Sequence, residues 1–172
     1  MKSAFHEKSA KVIKNKKKLE IILNVKIISG AGKISVEGSP EDEYIAEKIL
    51  DAISFGFPLP ITLLIKKEDF LFEILNIKDY TSRKDLETVR ARIIGRNGKT
   101  LKILSQLTEC FFEIKNNNVG IIGSPECIKN AQNAIISIIR GAKQANVYSY
   151  LEKHHIESVV DLGLKKSKKF KE

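Results

Sequence analysis

The sequence predicts an α+β fold of two tandem modules on the order β-α-α-β-β-α, and three observations carry that reading. Gly38-Ser39-Pro40-Glu41 recurs as Gly123-Ser124-Pro125-Glu126, an offset of 85 residues. The same offset relates two apolar helical stretches and the glycines that close them, Gly56 and Gly141. Within those stretches Ala46, Leu50 and Ile53 match Ala131, Ile135 and Ile138, each set at i, i+4 and i+7 on one helix face. Before each tetrapeptide lies a hairpin pattern. A chain of 172 residues divides comfortably into two such modules, each with a modest core.

In chain order, the first module opens on a helix–turn–helix stretch. Little chain stands ahead of it, so no leading strand is read there. Strands at Val25–Ile28 and Lys33–Glu37 follow, joined through Gly30-Ala31-Gly32. The long helix then starts at Ser39, whose oxygen can accept from an orphan N–H, with proline at the first helical position. Two prolines in Phe57-Pro58-Leu59-Pro60 interrupt any continuing helix and place the module boundary there, dividing 1–58 from 59–172.

The second module has its leading strand, because Phe70, Phe72 and Ile74 alternate with Leu71, Glu73 and Leu75. Leu86, Val89 and Ile93 recur at helical spacing, and a second amphipathic helix begins near Lys99. Strands Cys110–Lys115 and Asn118–Ile122 flank Asn116-Asn117, and the repeat of the long helix follows. Each sheet is expected to be three-stranded and antiparallel, with helices on one face.

Between the two helices of the second module runs Ile93-Ile94-Gly95-Arg96-Asn97-Gly98-Lys99-Thr100-Leu101. This resembles the GxxG loop of a KH domain, a module that clamps about four nucleotides of single-stranded RNA. Lacking Cβ, Gly95 and Gly98 can take positive φ and let a phosphate approach the main chain. Amides at the start of the next helix then point at that phosphate, aided by the helix dipole. Arg96 and Asn97 are expected to face solvent and to bind the RNA backbone. Ile93, Ile94, Leu101 and Leu104 would line or support an apolar floor, with Arg92, Lys99 and Lys102 adding charge. GxxG alone is common in helical corners; the longer Ile-Ile-Gly-x-x-Gly-x-x-Leu-x-x-Leu is far more restrictive.

Gly98-Lys99-Thr100 also matches the tail of a phosphate-binding P-loop. That motif needs glycine five residues earlier, where Ile93 stands, and a strand directly before it, where the chain reads as helix. A nucleotide-hydrolysing enzyme is therefore not the expectation.

The two copies differ. Projected back by 85 residues, the glycine loop falls on Ala10-Lys11-Val12-Ile13, which holds no glycine. The first module is thus a degenerate KH-like unit without a clamp, fitted to brace the second, to contact a protein, or to bind RNA by charge. In the second, Glu109 occupies a helix-ending position that favours αL geometry, and a slightly strained or altered turn follows. Asn24 stands there in the first copy, a better αL residue.

The formal charge is +9, from 30 Lys+Arg against 21 Asp+Glu. Lys8, Lys11, Lys14, Lys16, Lys17 and Lys18 form one acid-free run, and Lys165, Lys166, Lys168, Lys169 and Lys171 another. With those eleven set aside, 19 basic residues face 21 acidic ones, so the excess sits on two segments expected to be flexible or loop-like. Lysine runs are commonly solvated tails; beside a clamp they also suit phosphate contacts. Arg90, Arg92, Arg96, Lys99 and Lys102 cluster around the glycine loop. Five such charges neutralising phosphates would give a log K against log salt slope of roughly −3.5 on a single strand.

No apolar run is long enough to span a membrane and no signal peptide opens the chain, so a cytoplasmic protein without membrane partners is expected. Cys110 and Cys127 suggest neither a zinc knuckle nor a disulfide framework. His154 and His155 are adjacent and point apart on a helix, and His6 stands alone; no metal or other cofactor is expected. No Ser/His/Asp set or paired carboxylates rise above background, and the chain is not read as an enzyme. Tyr148, Tyr150 and Leu151 could stack on bases, but packing of a C-terminal helix is the favoured reading.

Asp79-Tyr80, Asp85-Leu86-Glu87-x-Val89-Arg90-x-Arg92-Ile93-Ile94-Gly95-x-x-Gly98-Lys99-Thr100 and the later Ala142-x-x-x-x-Val147-Tyr148-x-x-Leu151-Glu152 together resemble the archaeal-type pre-ribosomal KH proteins. These are relatives of the small-subunit assembly factor called partner of Nob, or Dim. The resemblance covers most of the chain and is specific from about Phe70 to Lys153. It is poor from Met1 to Lys26, where the first GxxG usual in archaeal members is missing. It implies two tandem type I KH-like modules and binding to small-subunit ribosomal RNA, near its 3′ end, during late assembly. It also implies contacts with an rRNA-maturing endonuclease or with translation initiation factors. From the residues alone, three readings stand side by side: a single-stranded RNA-binding factor or regulator, a protein scaffold with a vestigial clamp, and a nucleotide-dependent enzyme.

Overall fold

The computed structural model describes residues 6–7, 10–30 and 33–154. The first half starts with a two-residue strand, β1 (His6–Glu7), paired antiparallel to β3 (Lys33–Glu37) through His6↔Ile34. A leading strand is therefore present where none was expected. Two residues are too few to show an alternation, so the pairing had no local signal. Strand β2 (Lys26–Gly30) flanks β3 on its other side, giving the order β1-β3-β2.

The lysine run departs from the loop-like expectation. Lys11 to Lys18 lie almost wholly in helices α1 (Ala10–Lys14) and α2 (Lys16–Leu23), because lysine is a good helix former and Val12, Leu19 and Leu23 give those helices a buried face. Lys8 and the C-terminal lysines lie outside the described residues. A single residue, Asn15, turns the corner between the two helices, its side-chain amide donating to the Lys11 carbonyl at 2.8 Å. Residues 10–13, matched by offset to the glycine loop, are thus all helix. Asn24 ends α2 at φ 56° in the left-handed region.

Helix α3 (Pro40–Phe55) follows its sequence signals closely: the Ser39 hydroxyl accepts from the Asp42 amide, and Gly56 closes the helix at φ 142°. The prolines after it end one helix and start another, since α4 (Leu59–Thr62) and α5 (Leu64–Lys67) come next and pack on the first core.

The second half runs β4 (Leu71–Asn76), a 3-10 turn at Ile77–Tyr80, α6 (Leu86–Ile94), α7 (Lys99–Thr108), β5 (Phe111–Lys115), β6 (Asn118–Gly123), α8 (Pro125–Arg140) and α9 (Gln144–Lys153). Its sheet has the order β4-β6-β5. Ser124 caps α8 as Ser39 caps α3, and Ala131, Ile135 and Ile138 are fully buried like their counterparts Ala46 and Leu50. Glu109 does take αL geometry, at φ 54°.

This second sheet contributes to a core on each of its faces. Val119 and Ile121 pack with Val89, Ile93 and Leu104 of its own helices. Phe72 and its register partner Ile122 instead join the first core. There Phe55, Phe57 and Phe72 form a ring cluster with centroids 5.8 to 6.0 Å apart, each such pair contributing about 0.5–1.5 kcal/mol beyond its buried area. Gly120 lies under it: a Cβ there would stand 2.7 Å from Phe55 and 2.8 Å from Phe57. The halves therefore share a packed seam.

Candidate nucleic-acid interface

Asp85 starts the clamp-bearing pair of helices by accepting the Thr88 amide at 3.1 Å; the Thr88 hydroxyl, which donates to the same carboxylate, and then that amide hold its carboxyl below the usual carboxylate range. Helix α6 then ends at Gly95, whose amide donates to Ala91 at 2.8 Å. At φ 75° and ψ 172°, Gly95 occupies a region that only glycine enters without strain. A Cβ there would fall on the Thr100 hydroxyl and within 2.8 Å of the Thr100 amide nitrogen. Asn97 (φ 53°) and Gly98 (φ 74°) are both left-handed, so the chain makes one 3-10 turn and enters α7 at Lys99. The amides of Arg96 and Asn97 donate to no group among the described residues.

The turn is held from behind by α9. The Gln144 side-chain nitrogen donates to the Arg92 carbonyl at 2.8 Å and to the Thr100 hydroxyl at 3.0 Å. Arg92 answers by donating its guanidinium to the Ala142 carbonyl at 2.9 Å. One amide thus bonds the end of α6 and the start of α7 at once. Sequence reading missed Gln144 and the role of Thr100, since nothing local marks a residue 44 positions away.

The residues singled out from sequence divide into three sets. Arg96, Asn97, Lys99 and Lys102 are exposed, and Gly95 and Gly98 are half-buried in the turn. Ile94 is exposed and Leu101 half-buried, so they offer apolar surface beside the loop, whereas Ile93 and Leu104 are fully buried and support it from below. Arg92 is half-buried and engaged with Ala142, and Arg90 donates to the Asn116 carbonyl at 3.1 Å. Three cations, rather than five, are left for a ligand at the loop.

The C-terminal helix packs as favoured: Val147 and Leu151 are buried and Tyr148 lies against the same core. Tyr150 is the exception, 46% exposed and stacked on His154 with centroids 4.1 Å apart.

Residues 71–156, half of the chain, match the family model of the second PNO1 KH domain, described as a eukaryotic type KH-domain (KH-domain type I). A KH domain-containing protein of Methanocaldococcus jannaschii is 30% identical over 145 residues, covering 80% of this chain and 64% of the relative. The pre-rRNA-processing protein pno1 of Emericella nidulans is 26% identical over 143 residues, covering 79% and 55%. The chain therefore spans less than two thirds of the length of these relatives. Among solved structures, that of an a/eIF2alpha–aDim2p–rRNA complex from Pyrococcus horikoshii contains a chain with a TM-score of 0.79 and 27% identity, covering 90% of this chain and 94% of that one.

Proposed function

We propose a function for this chain from the premise that it belongs to the archaeal-type PNO1/Dim2 family of KH-domain proteins. It is a single-stranded RNA-binding protein of small-ribosomal-subunit assembly, and it grips ribosomal RNA near the 3′ end through Gly95–Gly98. The observation that carries this is the braced, outward-facing turn: the Arg96 and Asn97 side chains are exposed and their amides uncommitted, while Thr100 and Gln144 hold the turn from within. A phosphate at the turn would meet those amides, the start of α7 and the charges of Arg96 and Lys99. Ile94 and Leu101 would then lie beneath the adjoining bases.

The protein works in the cytoplasm by binding rather than by catalysis. A relative named for pre-rRNA processing and a structural neighbour in a complex with rRNA and an initiation-factor subunit support both the ribosomal RNA and an initiation-factor partner. An rRNA-maturing endonuclease is the other partner of this reading. The test is titration of labelled single-stranded RNA against wild type and an Arg96→Asp/Asn97→Asp double variant. Both sites are exposed, and aspartate tolerates the left-handed geometry of residue 97, so the variant should fold yet repel phosphate. At least a tenfold affinity loss is expected, roughly what losing 1.4 kcal/mol produces; equal affinity would leave a protein scaffold as the remaining reading.

A further inference from the structure

Strand β4 is an edge of the second sheet, because the order β4-β6-β5 gives it no outer neighbour among the described residues. The ladder fixes which of its groups face outward. The Ile77 amide donates to the Asn117 carbonyl at 2.8 Å, in register with Asn76↔Asn118. Antiparallel pairs alternate, so Leu71, Glu73 and Leu75 bond to β6, and the amides and carbonyls of Phe72, Ile74 and Asn76 point away from it. No other described group bonds to them. Edge strands are commonly blunted by lysine, proline or a bulge. Strand β4 has none of these: it pairs with β6 residue for residue, with Leu71 and Ile74 exposed. The edge strand β2 of the first sheet, by contrast, opens on an exposed lysine and ends on glycine.

The first half does not close this edge. Between α3 and the start of β4 a cleft of about 240 Å³ stays open, walled by Tyr44, Lys48, Ile65, Asp69, Leu71 and Glu73. Asp69 and Glu73 are exposed, and neither forms an ion pair among the described residues. Lys48 lies over the Tyr44 ring, 5.6 Å from its centroid. In a chain of net charge +9 this spot sets two carboxylates against one lysine, so it turns RNA away and suits a basic segment. A second copy of the chain fits poorly. Two β4 strands pairing antiparallel about Ile74 would make their Glu73 side chains diagonal neighbours on one face, and like charges there oppose pairing.

We infer that the outer edge of β4 binds an extended, basic segment of a partner protein by strand addition, its main chain bonding to Phe72, Ile74 and Asn76. The side chains of that segment alternate, apolar ones over Ile74 and basic ones beside Glu73. Strands β4 and β5 are opposite edges of one sheet, and β5 is the edge beside α7, so the segment would not compete with RNA at the glycine loop. This binding needs nothing from the loop and stands without the RNA reading.

The probe is a capped heptapeptide of lysine and valine in alternation, titrated against the full chain by calorimetry while amide exchange is followed by NMR. Exchange should slow at Phe72, Ile74 and Asn76 and stay unchanged along β2. With valines over Ile74, the valine amides face β4 and the lysine amides face solvent. N-methylating the valines should weaken binding about tenfold or more, as losing two or three hydrogen bonds does, and N-methylating the lysines should not. Glutamate in place of lysine should weaken the probe severalfold on wild type, and Glu73→Lys should abolish that preference. Ile74→Pro removes an outward amide and no ladder bond, so it should fold and lose the probe; the methylated peptides decide the matter without any variant. Absence of probe binding, equal binding of the two methylated forms, or protection that falls outside β4 would overturn the inference. So would a wild-type dimer that Ile74→Pro dissociates, because a second copy would then hold the edge.

Discussion

The Thr100 side chain stands where a β-carbon on Gly95 would have to go, so the first glycine of the turn and the second residue of α7 are fitted to one another. Gly98 differs: a Cβ there would meet nothing within 4 Å. The two glycines of one motif thus have different physical causes, contact at the first and backbone geometry at the second.

Gly95→Ala should therefore cost more than Gly98→Ala. The first substitution combines a glycine-only backbone region with overpacking, together about 3 kcal/mol or more. The second carries only a left-handed backbone penalty of about 1 kcal/mol. Urea unfolding of the two variants measures the difference, and equal losses would show that Thr100 yields freely.

Gln144→Ala removes both bonds that tie α6 and α7 together at the turn. Two lost hydrogen bonds predict a loss of about 1–3 kcal/mol in unfolding free energy. Amide exchange from Arg92 to Thr100 should accelerate beyond what global destabilisation explains. Leaving that exchange pattern unchanged would mean that α9 does not brace the loop.

Three available cations set the salt response. With Arg90 and Arg92 bonded within the protein, Arg96, Lys99 and Lys102 predict a log K against log salt slope of roughly −2 for the loop alone. RNA titrations between low and moderate salt read it directly, and Lys102→Gln should shallow the slope by about 0.7. A slope near the −3.5 that five charges would give (roughly, on the same scale) would mean that the two arginines neutralise phosphates as well.

How much of this could be seen beforehand follows from the range of each interaction. Serine caps, closing glycines and buried faces at i, i+4 and i+7 are local, and the 85-residue repeat displayed them twice. The glycine turn was legible for the same reason. Gln144 on Thr100, Lys115 donating to the Ser54 carbonyl, and Gly120 under Phe55 and Phe57 each join residues more than 40 positions apart, and no local pattern announces them. The first lysine run, expected to be flexible or loop-like, is held in two helices by the buried Val12, Leu19 and Leu23, a face that so high a charge conceals.

Cys110 makes the stability of the protein pH-dependent at the alkaline end. Burial pushes its thiol up to about 12, from an ordinary value of 9.0. The folded state therefore holds the proton more tightly than the unfolded chain does. Its contribution is complete below pH 9 and is lost as pH rises from about 9 towards 12. Cys110→Ser, or better Cys110→Ala, should flatten that alkaline limb of a denaturation profile. In native protein at pH 8, a thiol reagent should label the half-exposed Cys127 well before Cys110. Equal labelling rates would contradict the burial that raises the thiol.

The seam at Gly120 makes the sharpest claim about the whole chain. Phe72 and Ile122 of the second sheet sit in the first core, so neither half can be exposed without opening the other. One cooperative thermal transition is expected for wild type. Gly120→Val would drive a branched side chain into the rings of Phe55 and Phe57, an overpacking cost of about 1–3 kcal/mol or more. The rings can escape only by moving the halves apart, so this variant should show two transitions, or one broadened. A Gly120→Val protein that unfolds in a single sharp step at the wild-type temperature would mean that the ring cluster does not couple them.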